Sequence, residues 1–383
     1  MVSFVSKLST TGEFKLLKTK RSQDQITDYL RNEIYEGNLK PGEKLPANLE
    51  LAARWQTHGN TIQRAMEPLV KEGLLTRTPR VGTFVRQREE KLTRVGVFGH
   101  VAVNESLFVQ ALRKAVKDEL NQAGIEMDLR VDPRPEKEFT EPWLPFLQAA
   151  ANREFQAVIV TETNLMYLGW QSKLRVPTVF LGSENFPNQV NYDLEQFAEI
   201  SLQALASQGC RSVGLITPLS TRTGDDRPAG HFGHFFEHFI DVSRDLGLTI
   251  KDEWMRVASH EGAMRGRSYE GYGYEEFLKL WSQPERPEGL IVADNVAARG
   301  VILALQQQQV RVPEDLKLVL HKNESIDLLC PVPATFIVCS EREIAKALID
   351  QVQKQFRGEQ CQPVSIPYRL TSHCGGVDLA SKR

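Results

Sequence analysis

From Arg94 onward, short runs rich in β-branched residues alternate with longer stretches whose apolar residues recur at helical spacing. "RVGVFG", "FQAVIVTE", "PTVFLGS", "RSVGLIT", "GLIVAD" and "LKLVLHK" read as strands. "SLFVQALRKAVKDELNQAG", "LEQFAEISLQALASQG", "NVAARGVILALQQQQ" and "EIAKALIDQVQKQF" read as helices. Strands that are apolar along their whole length are buried on both faces, so they pair in parallel with helices on either side of the sheet. Single cores rarely grow beyond about 250–300 residues, so a chain of 383 residues suits two such α/β lobes and a smaller domain. In open parallel sheets, ligands sit beyond the carboxyl ends of the strands.

The first ninety residues follow a different pattern. Ile26, Leu30 and Ile34 lie four apart with Tyr29 beside them, a helical face that stops at Gly37 and turns at Pro41-Gly42. "NLELAARW" is a second short helix, with Leu49, Leu51 and Ala52 expected inward. "QTHG" connects it to a third, "NTIQRAMEPLVKEGLL", capped by Asn60 or Thr61 and burying Ile62, Ala65, Met66 and Leu69. Pro68 falls inside that helix, where proline costs about 3 kcal/mol or forces a kink. "LLTRTPRVGTFV" then gives two short strands around a basic tip. Two helices joined by a tight Gly turn form a helix-turn-helix whose second helix enters a major groove, and the hairpin is a wing. Thr61, Gln63, Arg64, Arg77 and Arg80 are the candidate DNA contacts, with Gln63 suited to the N6 and N7 edge of adenine.

Charge agrees with this division. Residues 1–91 carry 16 Lys and Arg against 11 Asp and Glu, and the remainder carries 31 against 38. A basic module on an acidic body points to a polyanionic partner for the small part. No apolar run approaches the roughly 20 residues of a membrane helix. The leader, 1–20, lacks the continuous apolar core of a signal peptide. Cys210, Cys330, Cys339, Cys361 and Cys374 are odd in number and have no C-x-x-C spacing, which fits reduced thiols in a cytoplasmic protein.

The string "GNLKPGEKLP…LA…NTIQRAM…LVKEGLL…GTFV" resembles the winged helix-turn-helix of GntR-type bacterial regulators over about 22–86. This chain has Leu49, His58-Gly59 and Gln63 where that family usually has Arg, Ser-Arg and Arg. "GLIVADNVAARGVILAL" followed by "VRVPEDLKLVL" resembles the effector domain of LacI/GalR regulators, which is similar to periplasmic sugar-binding proteins, over about 92–376. Asp294-Asn295 reverses that family's usual Asn-Asp. A GntR-type reader on a LacI-type sensor resembles the arabinose-repressor type of architecture. The implied organisation is a leader at 1–20, a winged helix-turn-helix at 21–88 and a two-lobed, periplasmic-binding-protein-like body at 92–383. Lobe one is expected over about 93–190 and 336–357, lobe two over about 191–335 and 358–376. The resemblance also implies ligand positions at Phe108, Asp193, Arg227, Asp294 and Asn295; Asn323 follows "LVLHK" at another strand end, and Tyr192 is an aromatic candidate for the cleft. Trp143 and Trp170 are further aromatic candidates for the cleft, because a sugar needs short polar groups and aromatic faces.

His231, His234 and His238 share one helical face near Glu237, a possible zinc set without a second ligand cluster. "RGRSYEGYGYEEF" is no P-loop and reads as a mobile loop, a lid. No G-x-S-x-G or H-E-x-x-H occurs, so an enzyme is not expected, and neither is a cofactor. The leading expectation is a cytoplasmic, ligand-responsive transcription regulator, a repressor, that works as a homodimer on operator DNA with a small effector, a sugar. The alternatives are a binding module with a decayed reader and a constitutive DNA-binding protein with an empty sensor.

Overall fold

Helical spacing at the start of the chain becomes one small core. The computed structural model describes residues 22–86, 91–100, 106–134, 143–161, 174, 176–182, 188–220, 230–258 and 268–373. Helix α1 (Ser22–Tyr35) buries Ile26, Leu30 and Ile34, α2 (Asn48–Arg54) buries Leu51 and Ala52, and α3 (Gly59–Lys71) buries Ile62, Ala65, Met66 and Leu69. They close on Leu39, Leu45, Trp55, Leu74, Leu75 and Val85. Strands β1 (Leu75–Thr78) and β2 (Gly82–Val85) pair antiparallel with Leu75 opposite Val85. The turn after α1 adds a third edge, with the Gly42 and Leu45 amides each donating to the β2 side at 2.9 Å. Polar ties fix α1 to α3: the Thr27 hydroxyl donates to the Ala65 carbonyl at 2.8 Å, and buried Arg31 forks onto the Glu72 carboxylate at 3.0 and 2.9 Å.

Three local expectations are corrected here. Leu49 does not face inward: it is 81% exposed, because on a seven-residue helix the buried stripe is filled by Leu51 and Ala52. Neither Asn60 nor Thr61 caps α3; the cap position is His58, its side chain makes no cap bond, and the Thr61 amide donates to the His58 carbonyl. Pro68 does not end α3, which runs on to Lys71. The amide that Pro68 lacks would have reached the Arg64 carbonyl, and the Gln23 side-chain amide approaches that carbonyl at 3.5 Å instead.

Among the described residues, the body has two six-stranded sheets. The first has the order β13-β7-β6-β5-β3-β4, built from β3 (Arg94–His100), β4 (Glu126–Asp132), β5 (Ala157–Val160), β6 (Thr178–Leu181), β7 (Gln189–Tyr192) and β13 (Val364–Ile366). Helices α4 (Leu107–Gln122) and α5 (Leu144–Ala151) belong with it, and β3 pairs parallel with both β4 and β5. Phe98, Phe146, Phe155 and Phe180 fill the core on one face.

The second sheet has the order β14-β12-β11-β10-β8-β9, from β8 (Val213–Ser220), β9 (Met255–Ala258), β10 (Gly289–Val292), β11 (Lys317–Asn323), β12 (Ala334–Cys339) and β14 (Arg369–His373). Its pairs are parallel except β12 with β14. The helices are α6 (Leu194–Ser207), α7 (Gly230–Asp245), α8 (Tyr269–Trp281) and α9 (Asn295–Gln307). The stretch expected to be a mobile loop is therefore largely α8. One glycine on each of α8 and α9 serves their packing: a Cβ on Gly273 of α8 would lie 2.1 Å from the Ala297 carbonyl oxygen, and one on Gly300 of α9 1.8 Å from that of Glu270. Only bare backbone lets α8 and α9 approach so closely.

By contacts the chain divides into two units, 1–109 with 113–190 and 345–364, and 110–112 with 191–344 and 365–383. Residues 336–344, expected in the first lobe, fall in the second, because β12 pairs with β11 and the crossing lies inside α10 (Glu341–Phe356). Residues 358–364, expected in the second lobe, fall in the first. The leader at 1–20 lies outside the described residues.

Candidate DNA-reading face and effector site

The reader presents an exposed polar surface around α3 and the wing. Ile62, Ala65, Met66 and Leu69 occupy the inner face of α3, so Gln63 and Arg64 face solvent, with Thr61 half-buried beside them. Arg77 is exposed on β1, and Arg80 is exposed at the wing tip. The tip is a turn closed by the Val81 amide donating to the Thr78 carbonyl at 3.1 Å, with Pro79 second and Arg80 third at φ 64°. A positive φ at that position is a type II feature that favours glycine, so an arginine there is held against its backbone preference. Among the described residues, the Gln63, Arg64, Arg77 and Arg80 side chains make no hydrogen bond or ion pair. Uncommitted guanidinium groups keep their full charge and donors for phosphate or guanine. The uncapped start of α3 likewise leaves backbone amides open.

In the second unit, three of the expected ligand residues share the carboxyl edge of the sheet. Asp294 follows β10 and caps α9, accepting the Val296 and Ala297 amides at 2.8 Å on one oxygen, Oδ1. Burial holds its carboxyl above the ordinary carboxylate range, against the pull of those two amides. Tyr269, at the start of α8, is raised by burial and by the Asp294 charge. Asn323, buried, ends β11 beside β10, one residue further along in register than Asp294 would reach. Asp193 caps α6 and accepts the Gln196 amide at 3.0 Å. The first turn of α6 meets the same edge, since the Phe197 ring lies 5.9 Å from that of His321, near the end of β11. Asn295 is buried as the first residue of α9.

Tyr192 is raised well above its usual range by burial, then by Cys339 and Glu341. Phe108, half-buried, sits in the first turn of α4, after β3 in the first unit. Trp143 packs instead on the core of the first sheet, its ring edge-on to Phe98 at 6.5 Å. Arg227 and Trp170, with the His231 side chain, lie outside the described residues. His238 reaches the Glu199 carboxylate at 3.0 Å, tying α7 to α6.

His321, Glu341 and Tyr368 also lie close to this edge of the second unit. Tyr368 and Phe197 both stack edge-on against His321, and buried Glu341 has one oxygen with no hydrogen-bond partner among the described residues. Neither His321, at the end of the apolar run of "LVLHK", nor Tyr368 carries a sequence signal of its own. Burial pushes the His321 ring down to about 4. The unfolded chain protonates it near pH 6.5. Stability is therefore indifferent to this group above about pH 6.5 and falls as the pH drops toward 4, because the unfolded state then binds the extra proton. Urea melts at pH 7.5 and 5 should show a smaller acid loss for His321→Gln than for the parent chain. Equal losses would remove His321 as a cause.

Comparison with known proteins places both parts. Residues 22–85 match the family described as bacterial regulatory proteins, gntR family. Residues 202–372 match the periplasmic binding protein-like domain. The arabinose metabolism transcriptional repressor of Geobacillus stearothermophilus is 24% identical over 79% of this chain and 82% of its own length. The HTH-type transcriptional repressor PurR of Edwardsiella ictaluri is 28% identical over 45% of this chain and 47% of its own. Transcription regulator CcpA of Lactococcus lactis superposes with a TM-score of 0.58 at 15% identity, over 75% of this chain and all of that one. The lactose repressor bound to the anti-inducer ONPF in its induced state gives 0.57 at 13% identity, over 74% of this chain and all of that one. Such low identity speaks for the fold alone. Residues 22–85 thus match the gntR family of bacterial regulatory proteins, residues 202–372 match the periplasmic binding protein-like domain, and the body shares its fold with the transcription regulators above.

Proposed function

We propose that this protein is a ligand-responsive transcriptional regulator, a repressor, that binds operator DNA as a homodimer and takes a small carbohydrate in its two-lobed body. The observation that carries the reading is a winged helix whose Gln63, Arg64, Arg77 and Arg80 are all exposed and uncommitted, on the same chain as a sensor-type fold. Gln63 and Arg64 reach base edges, Arg77 and Arg80 reach phosphate from the wing, and Thr61 positions the helix. One reading helix covers few base pairs, so a dimer engages half-sites about one helical turn, or a multiple of it, apart. Polar groups at strand ends, Asp193, Asp294 and Asn323, suit the hydroxyls of a sugar, and the arabinose metabolism repressor among the relatives supports that ligand class. No helix among the described residues is long and apolar enough to cross a membrane.

The test is selection of duplexes by the full chain from a random library, followed by titration of the selected DNA with and without a panel of pentoses and hexoses. A selected palindrome whose affinity changes with one sugar supports the reading. A chain that ignores DNA at low salt overturns it. DNA binding that no sugar alters overturns the carbohydrate half.

A further inference from the structure

The reader does not hang from the body by its connecting segment alone. Within the first unit, two places of contact with the lobe lie among the described residues. At one, the turn after α1 meets the turn after α10. Gly37 (φ 73°) and Gly358 (φ 74°) both hold left-handed backbone there. A Cβ on Gly37 would lie 2.6 Å from the Glu359 carbonyl and the Gln360 amide, and one on Gly358 2.6 Å from the Pro41 ring. Tyr35, Leu39 and Phe356 line the same seam. Gln355, 3% exposed, has its Oε1 buried there with no hydrogen-bond partner among the described residues, so the closed seam carries an unmet polar group.

At the other place, the Arg153 guanidinium donates to the Glu72 carbonyl at the end of α3. Glu72 is the residue whose carboxylate already holds Arg31 of α1. An open cleft of about 320 Å3 lies alongside, lined by Pro68, Lys71, Ala150 and Arg153. Among the described residues, the reader thus meets its lobe at both of these places.

Helix α10 gives the first clip its meaning. It runs unbroken from Glu341 to Phe356, with residues 341–344 grouped in the second unit and the rest in the first. A helix of that length is about 24 Å long, and it ends at the reader. We propose that these two clips seat the reader on its lobe, and that the C-terminal turn of α10 is the joint through which the body and the DNA-reading helices influence one another. The coupling rests on the regulator reading; the seating does not.

Glycine geometry supplies matched variants. Gly37→Ala adds a side chain against the Glu359 backbone. Gly42→Ala and Gly124→Ala impose the same kind of backbone strain (φ 80° and 68°) with nothing within 4 Å. Arg153, at φ 57°, loses its clip as Arg153→Gly while its backbone relaxes, so that variant folds. Hydrogen exchange on the full chain without DNA reads each variant across the joint. Gly37→Ala should speed exchange at Gln355–Cys361 at least threefold, and Arg153→Gly should do the same at Glu72–Leu75, while the two controls leave both segments unchanged. Exchange that does not distinguish the variants from the controls overturns the seating.

With a duplex selected by the full chain, DNA should in turn change exchange at Gln355–Cys361, because coupling is reciprocal. The joint variants should shift affinity for that duplex at least threefold relative to the controls. Seating without either effect overturns the coupling. A chain that selects no duplex sinks the regulator reading and the coupling with it, and the exchange comparison still decides the seating.

Discussion

Removing the wing's two arginines, as Arg77→Ala with Arg80→Gly, should lower affinity for every duplex by about the same factor and flatten its salt dependence. Each phosphate neutralised contributes about 0.9 to the slope of log K against log salt. The proposed dimer, losing four such contacts, should flatten by about 3 to 4 and, near 0.15 M salt, bind about 10³-fold more weakly. Glycine at position 80 matters to the design. Arg80 holds φ 64°, a backbone glycine adopts without strain, so the loss cannot be assigned to unfolding of the wing. Arg77 is exposed on β1, where truncation removes no core contact. Titrations at four salt concentrations, on a selected duplex and on an unrelated one, read both quantities. An unchanged slope would take the wing off the phosphates, and a loss confined to the selected duplex would make these arginines base readers.

What the sequence made legible follows from how many residues carry each signal. The two sheets and their helices were readable because each strand is a continuous apolar run and each helix a repeated stripe. The reader was readable because turn, helix and wing occur in order. Single-residue placements were harder. Leu49 looks like a core residue by type, but a two-turn helix has room inward for only Leu51 and Ala52. The Tyr- and Gly-rich start of α8 reads as a loop by composition, yet Gly273 is there because α9 passes against its backbone. The crossing between lobes was misplaced for a similar reason. Strand β12 and helix α10 adjoin in sequence, and only the pairing of β12 with β11 shows that the boundary falls inside the helix.

The site shows the same limit from the chemical side. Asp294 was chosen as a ligand residue, and the structure gives it a second task as the cap of α9. An alanine there would mix two losses, since removing a cap costs about 0.5–2 kcal/mol by itself. Asparagine is as good a cap and keeps an oxygen for the Val296 and Ala297 amides, while its other terminal atom becomes a donor. Oδ1 takes both amides, and Oδ2 has no hydrogen bond among the described residues, so Oδ2 is the atom available to a ligand hydroxyl.

Asp294→Asn should therefore leave the fold and unliganded DNA binding intact and weaken the effector. A hydrogen bond to a charged group is worth about 1.5–3 kcal/mol, so the expected loss of effector affinity is about 10- to 150-fold. The regulatory consequence follows from linkage. A ligand moves DNA affinity only through its different affinity for the two arrangements of the body, with typical couplings of about 5- to 150-fold. The coupling is a ratio, so it should survive at saturating ligand in the variant and vanish at concentrations that saturate only the parent chain. Calorimetry against the sugar panel measures the first quantity, and the same titration with the selected duplex present measures the second. A variant that binds the effector as tightly as the parent would remove Asp294 from the site. A parent chain that binds a sugar tightly, with and without DNA alike, would leave a sensor-type fold with no switch in it.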